Sequence, residues 1–141
     1  MPTVKICTDT VTLYNYIGEA NYVAVYSVTI LQNVNVHMSR SSSLPGEHTN
    51  SATLCIFDQQ LEAVSVDGVA KSFLPNLEWE ALDADERTNY WTLDGKHAGK
   101  DIFVLGTSDS EWPTGDSYRI DSAERYNRGT LAVQHWKVVG R

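Results

Sequence analysis

The sequence predicts an all-β fold, an antiparallel sandwich of jelly-roll type formed as one domain over residues 1–141. Three observations carry this. Apolar and polar residues alternate with period two over long stretches, turn signals recur about every ten residues, and no window sustains a 3.6-residue period. A β-trefoil and a closed β-barrel are the alternative architectures, since both are also built from short strands and tight turns.

The clearest alternation covers residues 20–38. Tyr22, Ala24, Tyr26, Val28, Ile30, Val34, Val36 and Met38 take one face, and only Gln32 breaks the pattern. That is one long strand, or two strands bent at Gln32-Asn33. Thr10 to Ile17 reads as the preceding strand, with Gly18-Glu19-Ala20-Asn21 as the hairpin turn. Residues 39–52 read as a polar loop, and Thr53 to Phe57 as a buried strand. Leu61 to Val66 and Val69 to Leu74 flank Asp67-Gly68, a pair suited to a two-residue type I′ turn. Thr88 to Leu93 precedes a second pair, Asp94-Gly95. Lys100 to Thr107 and Thr130 to Val139 complete the strands. Helix is confined to one or two turns in Leu77 to Arg87 and one in Asp121 to Tyr126.

A chain of 141 residues can bury roughly 68–70% of its unfolded surface, so it needs no metal or disulfide to fold. No apolar run is long enough for a membrane-spanning helix. The start lacks the basic and apolar segments of a signal peptide, and there is no Asn-x-Ser/Thr sequon; both favour a cytoplasmic setting. Cys7 and Cys55 sit in apolar runs and read as buried thiols, with one disulfide as the alternative.

The formal net charge is −7, and it is localised. Residues 58–86 hold eight acids (Asp58, Glu62, Asp67, Glu78, Glu80, Asp83, Asp85, Glu86) against Lys71 alone. A field of that sign repels phosphate backbones, which argues against nucleic acid. It suits solubility, or a basic protein partner; an exposed strand edge would instead serve assembly, including a homo-oligomer.

Catalytic and metal motifs fail on spacing. Gly95-Lys96-His97-Ala98-Gly99-Lys100 has three residues between its glycines, where a phosphate loop has four, and Asp101 stands where Ser or Thr would bind magnesium. It reads as a hairpin turn. Asp83-Ala84-Asp85 opens like a calcium loop, but Arg87 and Thr88 occupy the next ligand and glycine positions. No cofactor is expected, and calcium outside an EF-hand is the only alternative. His37, His48, His97 and His135 are scattered. No Gly-x-Ser-x-Gly elbow occurs, and Glu78 with Glu80 on one strand face is the sole hint of glycosidase chemistry. No catalytic residue is assigned, and a small β-fold enzyme ranks third among the readings.

What remains is aromatic side chains beside short polar ones. Trp112 lies among Asp109, Glu111 and Asp116, near Pro113, Gly115 and Tyr118. Asn89-Tyr90-Trp91 with Asp94 and His97 forms a second cluster. An indole can cover the C–H face of a sugar while carboxylates accept its hydroxyls. Trp79 and mid-strand Trp136 read instead as core plugs. Gln134-His135-Trp136 resembles the Gln-x-Trp element of ricin-type β-trefoil lectins, over that tripeptide alone. The first expectation is therefore a non-enzymatic, lectin-like domain that binds glycans through Trp112, Asp109, Glu111, Asp116, Tyr118, Asn89, Trp91, Asp94 and His97. The rival is a protein–protein or assembly module that uses the acidic 58–86 region.

Overall fold

The computed structural model describes residues 7–41, 49–93, 101–113, 117–130 and 134–141. They form nine strands and two short helices: β1 (Asp9–Ala20), β2 (Val23–Ser41), β3 (Thr49–Phe57), β4 (Glu62–Val64), β5 (Ser72–Phe73), α1 (Asn76–Glu80), α2 (Ala84–Arg87), β6 (Tyr90–Trp91), β7 (Ile102–Leu105), β8 (Ser117–Tyr126) and β9 (His135–Gly140). The all-β class is as expected. The pairings run β1–β7–β8–β9–β3–β2, and β2 pairs again with β1. All six contacts are antiparallel, so the ring of hydrogen bonds closes on itself. Each of these six strands therefore has a partner on both sides over part of its length, which shortens the free edges that would otherwise template aggregation. No threefold repeat is present among these strands, so Gln134-His135-Trp136 has no trefoil around it.

Two strands turn the corners of this ring. β2 pairs with β1 up to Asp9↔Val34, then with β3 from Asn35↔Cys55. Asn33 lies at the changeover, unpaired with β1 and with φ of 63°. It is a β-bulge, and asparagine is among the few side chains that tolerate left-handed backbone. β8 pairs with β7 through Arg119 and with β9 from Ile120, with a register break between Ile120 and Ser122. The bend expected at Gln32-Asn33 is thus a partner switch within one continuous strand.

Several local readings need correction. The first hairpin turns at Asn21-Tyr22, not at Gly18 to Asn21; both residues have positive φ, 52° and 66°, as a tight two-residue turn requires. The polar stretch 39–52 is shorter as a loop than expected, since Ser39, Arg40 and Ser41 pair with Ser51, Asn50 and Thr49. The Asp67-Gly68 hairpin exists, but with three turn residues. Gly68 N–H donates to Ser65 O and Ser65 N–H to Val69 O, and only Gly68 is left-handed, at φ 85°. The glycine therefore follows the turn as a bulge, the common three-residue form. Asp121 to Tyr126 is strand, not helix. Glu78 and Glu80 lie on α1, so they share no strand face. The turns expected at Asp94-Gly95 and Gly95 to Lys100 lie outside the described residues.

The core fills the ring. Val11, Leu13, Leu31, Val34, Leu54, Ile56, Phe103, Ile120 and Val138 are buried in one cluster. Tyr118 belongs to it too, its ring stacked on Phe103 at 5.6 Å. Asn15, next in the inward register after Val11 and Leu13, closes one end. Its amide donates to Thr92 O and Asp101 Oδ2, and its Oδ1 accepts Thr92 N–H. Asp101 Oδ1 also accepts the Tyr16 N–H. A buried amide is stable only when paired in this way. Cys7 is buried but Cys55 only half so, and no disulfide joins them.

Gly140 marks the tightest point of this core. A Cβ built there would lie 2.6 Å from the Phe103 ring and 2.8 Å from Tyr118 Cβ, whereas one at Gly18 would meet nothing. Gly140→Ala is expected to cost about 1–3 kcal/mol by overpacking, and Gly18→Ala to leave stability within about 0.5 kcal/mol, as surface changes do. Urea melts of the two variants measure the difference.

Candidate functional site

β4 continues the track of β3 along the same edge of β2. β3 ends near the Asn33 bulge, Asp58 to Leu61 are inserted, and β4 resumes at Gln32↔Glu62. Beside the insertion lies a cavity of about 480 Å³, within the usual range for small-ligand sites. Its walls come from six segments: Asp58 and Leu61 from the insertion, Ala63 from β4, Lys71 and Phe73 around β5, Trp91 from β6, Arg125 from β8 and Trp136 from β9.

The aromatic side chains form a continuous wall. Phe73 stands edge-on to Trp91 at 4.9 Å and tilted to Trp136 at 5.5 Å. Trp91 is buried and Trp136 half-buried. The Arg125 guanidinium lies 5.7 Å from the centre of the Trp136 ring, a cation–π approach that holds the ring's orientation. Both Arg125 terminal nitrogens also donate to the two oxygens of Asp58. A two-pronged pair of this kind fixes both planes. The cavity lip is therefore polar, ordered and without net charge.

Lys71 lies between this cavity and a second one. It is only 8% exposed. Its ammonium donates to Ser27 Oγ at 3.0 Å and Val28 O at 3.1 Å. Among the described residues no carboxylate pairs with it. Burial without a counter-charge disfavours the ammonium and lowers its pKa to about 8. Ser27 and Val28 line the second cavity, of about 570 Å³, together with Tyr26, Asn89 and Glu111.

Among the described residues, members of the two clusters singled out from the sequence border three different cavities. Trp112 is 48% exposed, but it is not free to move. Its Nε1 donates to Ala24 O, and it borders an apolar groove of about 340 Å³ with Val23, Val25 and Glu111. The loop before it is strapped over the outer face of β1. Tyr14 O–H donates to Ser110 O and its oxygen shares a hydrogen bond with the Ser108 hydroxyl, and Thr12 Oγ1 donates to Gly106 O and accepts Ser108 N–H. Asp109 and Glu111 are exposed on this strap. Tyr118 is not a loop residue: β8 register turns it inward, which corrects its placement on a ligand face. Asn89 and Trp91 line different cavities. Asp94, His97 and Asp116 lie outside the described residues. Trp79 is buried beneath Arg87, outside the main core, and its Nε1 donates to Arg87 O.

The residues missed by sequence reasoning are Asp58, Lys71, Phe73, Arg125 and Trp136. One signal was present: Val69, Lys71 and Phe73 alternate, which places the single base of the acidic segment in the same register as an aromatic. Among the described residues no three His, Cys, Asp or Glu side chains gather as a metal site, and no helix is long and apolar enough to cross a membrane.

A family model, described as a family of unknown function (DUF6751), matches residues 6–141. The chain belongs to this family. No curated protein and no solved structure matches it. The DUF6751 match spans every element that builds the aromatic cavity, from β2 to β9.

Two outcomes follow from this geometry. The unfolded chain binds a proton at Lys71 up to about pH 10.4, while the native amine releases it near pH 8. Stability therefore rises with pH between these values, where the unfolded state holds more protons. Wild type should gain stability from pH 7 to 9.5 relative to Lys71→Met, as read by urea melts at each pH. Trp112→Ala should cost about 1–2 kcal/mol, below the 3–5 of a fully buried aromatic, because half of its surface already meets water.

Proposed function

We propose that this domain is a non-enzymatic, lectin-like binding module that takes a saccharide in the cavity walled by Phe73, Trp91 and Trp136. The observation that carries the reading is the pairing of that aromatic wall with the Asp58–Arg125 lip. A sugar ring has an apolar C–H face, which an indole covers, and a rim of hydroxyls. Asp58 has acceptor capacity beyond its bond to Arg125, and Arg125 has further N–H donors. Because the two charges offset each other, the lip favours neutral hydroxyls over ions. The wall and lip are held by their own contacts before any ligand arrives, which reduces the ordering cost of binding.

A glycan array followed by calorimetric titration of the best hit tests this. Trp136→Ala should lower affinity at least about tenfold, which corresponds to about 1.4 kcal/mol or more of lost stacking. Trp112→Ala, which borders a separate groove, should leave affinity unchanged. Loss of binding in Trp112→Ala alone would return the site to the strap loop with Asp109 and Glu111. An array without hits would end the saccharide reading.

A basic protein partner is the second reading, favoured by Leu77. It is 82% exposed on α1 among the exposed acids Glu78, Glu80, Asp83, Asp85 and Glu86. Such a complex should weaken steeply between low and physiological salt. Charge-neutral variants of these acids should abolish it.

A further inference from the structure

Lys71 has a feature that saccharide binding does not use. A neutral amine has two N–H groups and one lone pair, and an ammonium has three N–H groups. Lys71 Nζ has two acceptors, Ser27 Oγ and Val28 O. A neutral amine is thereby satisfied, with its lone pair left over. An ammonium would keep one N–H without a protein partner and a charge without a counter-ion, in a side chain almost wholly out of water. We propose that Lys71 is a nucleophilic amine that condenses with small neutral aldehydes to form an imine.

The polar cavity provides the approach. Lys71 and both residues that accept from its amine line it, so it is the route by which a carbonyl carbon would approach the nitrogen. The charged and titratable groups around Lys71 favour a neutral ligand. Glu111, Asp67 and Tyr26 line that cavity, so they oppose an anion. Asp58 and Arg125, on the aromatic side, are spent on each other. The step balances within the two reactants. The amine lone pair forms the C–N bond, the carbonyl oxygen takes the two amine hydrogens, and water leaves from the carbinolamine. Ser27 Oγ, an acceptor for the amine, can then turn its hydroxyl hydrogen toward the imine nitrogen. The depressed pKa supports this chemistry. At pH 7.5 about a quarter of an amine titrating near pH 8 is unprotonated, against about one in a thousand at the ordinary lysine value. The inference stands apart from the saccharide reading, because it concerns the amine end of Lys71 and not the aromatic wall.

Reductive alkylation of the whole native protein tests it. Glycolaldehyde is the probe and cyanoborohydride the trap, at pH 7.5, with site occupancy read by peptide mass mapping over time. Exposed Lys137 is the internal reference. Lys71 should be alkylated at least about tenfold faster than Lys137 in native protein, and at the same rate in 8 M urea. Equal or slower native labelling of Lys71, whether from protonation or from occlusion, would overturn the proposal. So would a rate advantage that persists in urea, since that would trace to local sequence and not to the fold.

Discussion

The bulge at Asn33 is the constraint from which the rest of the structure follows. A strand of 19 residues is too long to serve one sheet without exposing part of its apolar face. Twist accumulates along it until its partners diverge. The extra residue at Asn33 lets the strand change partners, from β1 to β3, without ending. The ring closes there. On the same stretch of β2, the β3 track is interrupted and resumes as β4, and the space beside the interruption becomes the aromatic cavity. Closure of the fold and placement of the site are thus two consequences of one local irregularity, which fits the tendency of bulges to occur beside functional sites.

Two polar groups are buried side by side at one end of the inward face shared by β1 and β2, and they are managed in opposite ways. Asn15 is paired with backbone and with Asp101, so it specifies which segments meet at that end of the core. Lys71 reaches Ser27, the cross-strand neighbour of Asn15, but finds only neutral acceptors. A paired amide costs little and adds specificity. An unpaired buried amine costs stability whenever it is charged. The first belongs to the scaffold. The second is the kind of unfavourable arrangement that chemistry at a site explains better than stability does.

The strap of residues 106–112 shows why a polar, aromatic-containing segment is an ambiguous sign of a binding loop. Its serines and backbone carbonyls are used to cover β1, whose residues Val11 to Asn15 are buried on both faces. The hydroxyls of Thr12 and Tyr14 point away from the core and would be orphaned without that cover. The same composition that would suit sugar hydroxyls here satisfies the protein's own strand.

Alternation and turn chemistry were enough to determine the all-β class, the long β2 with its irregularity at Asn33, and the hairpin at Gly68. These depend on contacts within a few residues, so the chain order contains them. Local pattern could not decide the length of the strands through polar residues 39–41 and 49–52, because hydrogen bonds across the ladder are indifferent to side-chain polarity. Nor could it decide which tryptophan meets water. Trp136 looked like a core plug from its mid-strand position, and it does pack against the core, yet it also faces a cavity, because β3 ends one residue beyond its partner Ile56. Tyr118 looked like a loop residue, yet β8 begins one residue earlier and turns it inward. The candidate site itself joins Asp58, Lys71, Phe73, Trp91, Arg125 and Trp136, which no spacing rule connects. Pairings between residues far apart in the chain bring β4, β8 and β9 to one opening through β2 and β3, and the separate β5–β6 pair adds Phe73 and Trp91 to it.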